Sequence, residues 1–186
     1  MNEEQLLKDI KNDPQKFGEV YEVFRNKIFG YVYRRTTDYD AASEITAETF
    51  LKAYVNISKF KWNNISLLHW LYRIATNELN KYFNSHKYKP LSLNRIQEEY
   101  GIDITDHSKA ETESIKIQNE LEKHQQFMMI NGAIRMLDIK YQEVIALRFF
   151  EHKSINEIAI ILTKKEGTIK SLLSRGIEKL KEKIKS

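Results

Sequence analysis

The chain has 186 residues, 41% hydrophobic and 30% charged, which is enough apolar content for real cores and excludes an unfolded polyelectrolyte. A formal net charge of +4 favours anionic partners without requiring them. Cysteine is absent, which excludes disulfide scaffolds, thiolate metal sites and cysteine nucleophiles, and fits a reducing compartment.

The first residues, MNEEQLLKDI, are acidic and lack the basic start and apolar core of a secretory signal. No apolar run reaches membrane-spanning length, so a cytoplasmic protein without stable membrane insertion is expected. Two prolines and six glycines interrupt a text rich in Leu, Ile, Glu, Lys and Ala, and the fold reads as all-α. Pro14, after Asp13, marks a helix start, and Phe17, Val20, Tyr21, Phe24, Ile28, Tyr31 and Val32 then form a helical stripe. A second helix begins near Asp40 and turns Ile45, Thr49, Phe50 and Ala53 to one side. After the polar and aromatic loop KFKWNNIS, a third runs from about Ser66 to Phe83, with Leu67, Trp70, Leu71, Ile74 and Leu79 as its apolar positions. Trp70 is assigned to the core on that face.

From Asn84 to Ser114 the sequence is polar and aperiodic, with Pro90 and Gly101, the composition of a flexible linker. It divides the chain into two small helical domains, 1–84 and 115–186, joined by residues 85–114, and such a joint predicts loosely coupled domains in the free protein. Helical periodicity then returns over roughly 115–136, 139–151, 155–162 and 166–184. Ser154 and Glu157 form a capping-box pattern, and Ile155, Ile158, Ala159 and Leu162 give the short helix that follows a buried side. Thr163 to Lys165 turn the chain into a last helix with an apolar stripe at Ile169, Leu172, Leu173, Gly176, Leu180 and Ile184.

A short helix, a tight turn and an amphipathic helix make a helix-turn-helix whose second member would lie in the major groove. Lys164, Lys165 and Lys170 suit phosphates or guanine edges, and Thr168, Ser171 and Ser174 are short enough for close approach. Arg175 and Lys179 extend that polar face. A helical hairpin that binds protein is the competing reading. The five histidines, His69, His86, His107, His124 and His152, show no metal-ligand spacing, and no glycine-rich phosphate loop follows a strand. No catalytic residue, metal, cofactor or small-molecule substrate is therefore expected.

The segment YQEVIALRFFEHKSINEIAIILTKKEGTIKSLLSRGIEKLKE resembles the C-terminal DNA-binding domain of bacterial RNA polymerase sigma factors of the extracytoplasmic-function type. Upstream, DAASEITAETFLKAYVNISKF and LLHWLYRIATNELNKYF resemble that family's N-terminal domain, in the same order and separation. The resemblance implies a two-domain factor that recruits core RNA polymerase to promoter DNA, often under an anti-sigma regulator. It implies polymerase contacts on the helix of Glu44, Glu48 and Lys52. It implies −10 element recognition by Lys61, Trp62 and Asn63 of the loop and by Arg73, Asn77 and Lys81 of the next helix. Trp62 there either stacks on an unpaired base or plugs the domain's edge. It also implies −35 recognition by Lys164, Lys165, Thr168, Lys170, Ser171, Ser174 and Arg175. Where the family commonly has Gly and an apolar residue at the turn, this chain has Thr163 and Lys164, which predicts a looser or longer turn. Gly176 inside the last helix departs from the usual alanine and would permit close helix packing. A transcription regulator acting on duplex DNA without polymerase is the alternative; it leaves the N-terminal motifs unexplained, and copurification with core polymerase separates the two.

Overall fold

The computed structural model describes residues 3–60, 65–85 and 129–185, and every regular element among them is helical. Helix α1, Glu3–Asn12, buries Leu6, Leu7 and Ile10, an amphipathic use of the acidic N-terminal run that the sequence reading did not assign to a helix. It ends where the Asp13 carboxylate accepts from the Gln15 N–H and starts the 3-10 turn Pro14–Lys16, with Pro14 placed where a missing N–H costs nothing. Helix α2 spans Phe17–Thr36 and buries Phe17, Val20, Phe24, Ile28, Tyr31 and Val32. Asp38 accepts from the Ala41 N–H at 2.9 Å and starts α3, Tyr39–Asn56, one residue before the sequence-based start. After the short turn Ile57–Lys59, Ser66 accepts from the Leu68 N–H and starts α4, Leu67–Asn84. The Glu3 carboxylate also accepts from the Leu67 N–H at 2.8 Å, so α1 contributes an acid to the positive end of α4.

Helices α2, α3 and α4 pack on one another around Val20, Ile28, Tyr31, Leu67, Leu71 and Leu79. The buried Tyr31 hydroxyl lies 2.9 Å from Thr76 Oγ1, which satisfies both groups in an apolar interior. The second domain begins for description with α5, 129–135, followed by α6, Ile139–Ile145. The Gln142 amide joins them by donating to the carbonyls of Leu137 and Arg135, at 2.8 and 3.1 Å. Helix α6 widens into a π-helical segment, Ala146–Phe150, before α7, Ile155–Leu162, and α8, Glu166–Lys185.

The expectation of loose coupling is not met: α4 packs against α7 and α6, and buried apolar residues of both domains form one continuous cluster. The physical reason is a set of polar contacts across the seam, described below, that composition alone does not disclose. The expected joint, 85–114, lies outside the described residues except for Ser85, as do Lys61, Trp62 and Asn63.

Candidate nucleic-acid interface

The C-terminal helix-turn-helix forms where its sequence pattern places it. Ser154 accepts from the Glu157 N–H and Glu157 accepts from the Ser154 N–H, the reciprocal arrangement that satisfies two free donors at the start of α7. Burial by itself would raise the Glu157 carboxyl, but the hydrogen bonds from Ser154, together with His69 and Lys153, hold it at about 2. The turn is neither looser nor longer than a three-residue connection. Thr163 takes the left-handed conformation, φ 55 and ψ 45, which lets Lys164 N–H reach the Ala159 carbonyl at 3.0 Å and close α7. A β-branched residue thus occupies a position that favours glycine.

On α8, Ile169 and Leu173 are buried while Thr168, Lys170, Ser171, Ser174 and Arg175 are exposed along the opposite side, joined by the exposed Lys165 before the helix. Ile184, counted in the apolar stripe from sequence, is 51% exposed, because the helix outruns the body it packs on. Gly176 is buried against α6: a Cβ there would meet Ile145 Cδ1 at 3.2 Å and Tyr141 Cβ at 3.3 Å. Lys164 differs from its neighbours, since it lines a polar cleft of about 180 Å³ between the domains, with Arg73, Asn77, Asn80 and Glu143. Burial raises the Glu143 carboxyl, and Arg35, Asn80 and Lys164 only partly offset that.

The second surface is a cleft of about 450 Å³ between the end of α3 and the face of α4, lined by Lys52, Asn56, Lys59, Phe60, Trp70, Arg73, Asn77 and Glu78. Arg73 and Asn77, one turn apart, therefore share a wall, as their spacing implies. Lys81, two turns on, is exposed and lies 3.0 Å from Glu78. Glu78 also accepts from Lys52 at 2.5 Å, and Glu48 sits 2.9 Å from the same ammonium. Burial would raise the Glu78 carboxyl, but these two lysines lower it, and the Glu78 and Glu48 contacts push Lys52 above the usual lysine range. Trp70 requires a correction: it is half-buried, not a core residue, and packs its ring on Phe60 with centroids 4.7 Å apart. Its helical register pointed to the apolar side, but α3 stops short at that end, so the indole becomes a wall of the cleft. Asn56, Lys59 and Asn80 were missed because polar residues with no motif around them carry no signal before the cleft is assembled.

On α3, Glu44 is exposed and Glu48 half-buried. Leu51 and Val55, 57% and 64% exposed, extend the same helical stripe by the i, i+4, i+7, i+11 spacing, an apolar addition the sequence reading passed over. Lys52 is turned toward α4 by Glu78.

Two family models match in chain order: Sigma-70 region 2 over residues 20–88, and Sigma-70 region 4 over residues 127–180. The first spans α2 to α4 and the second contains the helix-turn-helix. The chain is 28% identical to the ECF RNA polymerase sigma factor SigW of Bacillus subtilis, over 94% of this chain and 92% of that protein. It is 27% identical to the ECF RNA polymerase sigma-E factor of Haemophilus influenzae, over 94% and 90%. Its fold matches the solved structure of CnrH in complex with the cytosolic domain of CnrY, with TM-score 0.65 at 14% identity, covering 96% of this chain and 94% of that one. It also matches the sigma factor RpoE in complex with the anti-sigma factor NepR from Bartonella quintana, with TM-score 0.61 at 20% identity, covering 92% and 98%. Among the described residues no helix is long and apolar enough to cross a membrane. Two sigma-70 regions in order, each carried by the helices that its motifs demand, make this chain a member of the ECF-type RNA polymerase sigma factors, non-catalytic subunits that direct polymerase to promoters.

Proposed function

We propose that promoter recognition is divided between the two exposed surfaces just described. Lys165, Thr168, Lys170, Ser171, Ser174 and Arg175, with Lys164 once the interdomain cleft opens, read the −35 duplex. Arg73, Asn77 and Lys81, with Lys61, Trp62 and Asn63 of the loop, take the −10 strand. Trp70 on Phe60 adds a stacking platform, and stacking on an unpaired base contributes about 1–3 kcal/mol. The observation that carries this reading is the segregation of α8: its apolar side is buried and a continuous run of hydroxyls and cations is left exposed. Domain limits of 1–84 and 115–186, joined by 85–114, fit the two matched regions.

Core polymerase docks on the stripe of Glu44, Glu48, Leu51 and Val55, with Lys52 at its edge, an acidic and apolar strip on a rigid helix. An anti-sigma protein is a natural regulator, since both structural neighbours were solved with a bound partner. The working compartment is the cytoplasm, where polymerase and chromosome are. Reconstituted transcription with core polymerase on a library of promoter fragments tests the reading. Selected start sites above the core-only background are expected, and their loss in Arg73→Ala/Asn77→Ala protein; a double variant that initiates as wild type would remove α4 from −10 recognition.

A further inference from the structure

The cations of the α4 face already have partners, and those partners come from the other domain. Arg73 donates from Nε to the Ile161 carbonyl at 3.2 Å and from a terminal nitrogen to the Ile160 carbonyl. Both carbonyls belong to the last turn of α7, the negative end of that helix. Beside them Glu151, whose side chain is only 7% exposed, accepts from Arg34 of α2 and from the Tyr72 hydroxyl of α4, the latter at 2.5 Å. His69 Nε2 lies 2.9 Å from Glu157 Oε1, and Lys153 stands 5.4 Å over the Tyr72 ring. Every one of these contacts joins the N-terminal domain to the C-terminal one.

We infer that the free chain masks its own −10 face, with the α7 carbonyl end and the Glu151 carboxylate standing in for the nucleic-acid strand. This rests on the assignment of α4 to −10 recognition. Carbonyl and carboxylate oxygens are the acceptors a DNA strand would offer, so Arg73 cannot serve both at once, and closing the domains competes directly with strand capture. The seam is also built to open. It is polar, and it leaves Arg34 Nε, Asn80 Oδ1 and Arg135 Nε buried with no hydrogen bond among the described residues, groups that gain solvent when the domains part. Core polymerase, by holding the two domains apart, would release the −10 face only within holoenzyme. A ligand that binds only the open form shows an affinity reduced by the open fraction.

The test uses the full-length chain. Glu151→Gln removes the charge at the centre of the seam, and Tyr72→Phe removes one hydroxyl with little loss of packing. Both should enlarge the radius of gyration in small-angle scattering. Both should tighten binding of a fluorescein-labelled random-sequence 20-mer of single-stranded DNA, by roughly tenfold for Glu151→Gln. Initiation by the Glu151→Gln protein with saturating core polymerase should stay within about twofold of wild type. Because the chain has no cysteine, His69→Cys with Glu157→Cys creates one addressable pair, which a short cleavable thiol cross-linker can lock. The locked protein should lose both oligonucleotide binding and initiation, and regain both on cleavage. Natively folded Glu151→Gln and Tyr72→Phe chains with unchanged dimensions and DNA affinity would overturn the proposal, as would a locked chain that initiates at full rate. If that happens while Arg73→Ala/Asn77→Ala abolishes initiation, masking alone has failed; if the double variant also initiates normally, the assignment of α4 has failed.

Discussion

Gly176 shows how one residue can reverse a helix-propensity rule. In an exposed helix, glycine to alanine stabilises by about 0.5–1 kcal/mol. Here the new methyl would press on Tyr141 Cβ, held by the α6 backbone, as well as on the movable end of Ile145. Gly176→Ala should therefore destabilise by about 1 kcal/mol, measured by urea unfolding at constant m-value. A stabilised variant would mean that α6 and α8 separate at little cost. Glu157 gives a pH dependence whose sign follows from its partners. Its folded carboxyl sits at about 2, below the ordinary value of about 4.3, so the native state binds a proton less readily than the unfolded state. Its contribution is present above about pH 5 and fades as pH falls toward 2. The gap in thermal midpoint between wild type and Glu157→Gln should therefore narrow on acidification below about pH 4, and a gap constant from pH 7 to pH 2 would contradict the account.

The turn between α7 and α8 keeps its three-residue length despite lacking glycine, because Thr163 accepts the left-handed conformation. That conformation costs an L-residue about 1–2 kcal/mol, partly balanced by the extra entropy glycine has when unfolded. Thr163→Gly should accordingly raise stability by about 0.5–1 kcal/mol in chemical denaturation without altering promoter choice. On α8, Lys170 and Arg175 are exposed cations, whereas Thr168 and Ser171 are short hydroxyls nearer the start of the helix. Holoenzyme titrated on promoter DNA across a salt series should lose about 0.9 from the log-affinity against log-salt slope for each phosphate contact removed by Lys170→Ala or Arg175→Ala. Thr168→Ala and Ser171→Ala should leave the slope and change the ranking of −35 variants, by about 1–3 kcal/mol at a directly read base. No change in slope or ranking for all four, with helix content intact, would remove this face from DNA reading.

At the scale of the whole molecule, one apolar cluster runs through both domains and a belt of ion pairs surrounds it. Domains coupled in this way should unfold together. Calorimetry of the free chain should give a single transition with matching calorimetric and van't Hoff enthalpies, and Glu151→Gln should broaden or split it. Two resolved transitions in the unaltered chain would show that the seam contributes little.

The sequence by itself determined the helices and the family. Periodicity, the Asp13–Pro14 start and the Ser154–Glu157 box are local, and local chemistry sets a helix whatever surrounds it. The same holds for the α8 polar face, whose exposed residues follow from the 3.6-residue repeat. Tertiary structure decided the rest. Trp70 has the register of a core residue, and only the place where α3 ends turns it into a cleft wall. Leu51 and Val55 look like ordinary helix positions until burial of the other side leaves them outside. The closed arrangement depends on Glu151 meeting Arg34 and Tyr72, partners 117 and 79 positions away in the chain. No periodicity encodes such pairs, because their energy arises only when two separately specified surfaces come together and exclude water between them.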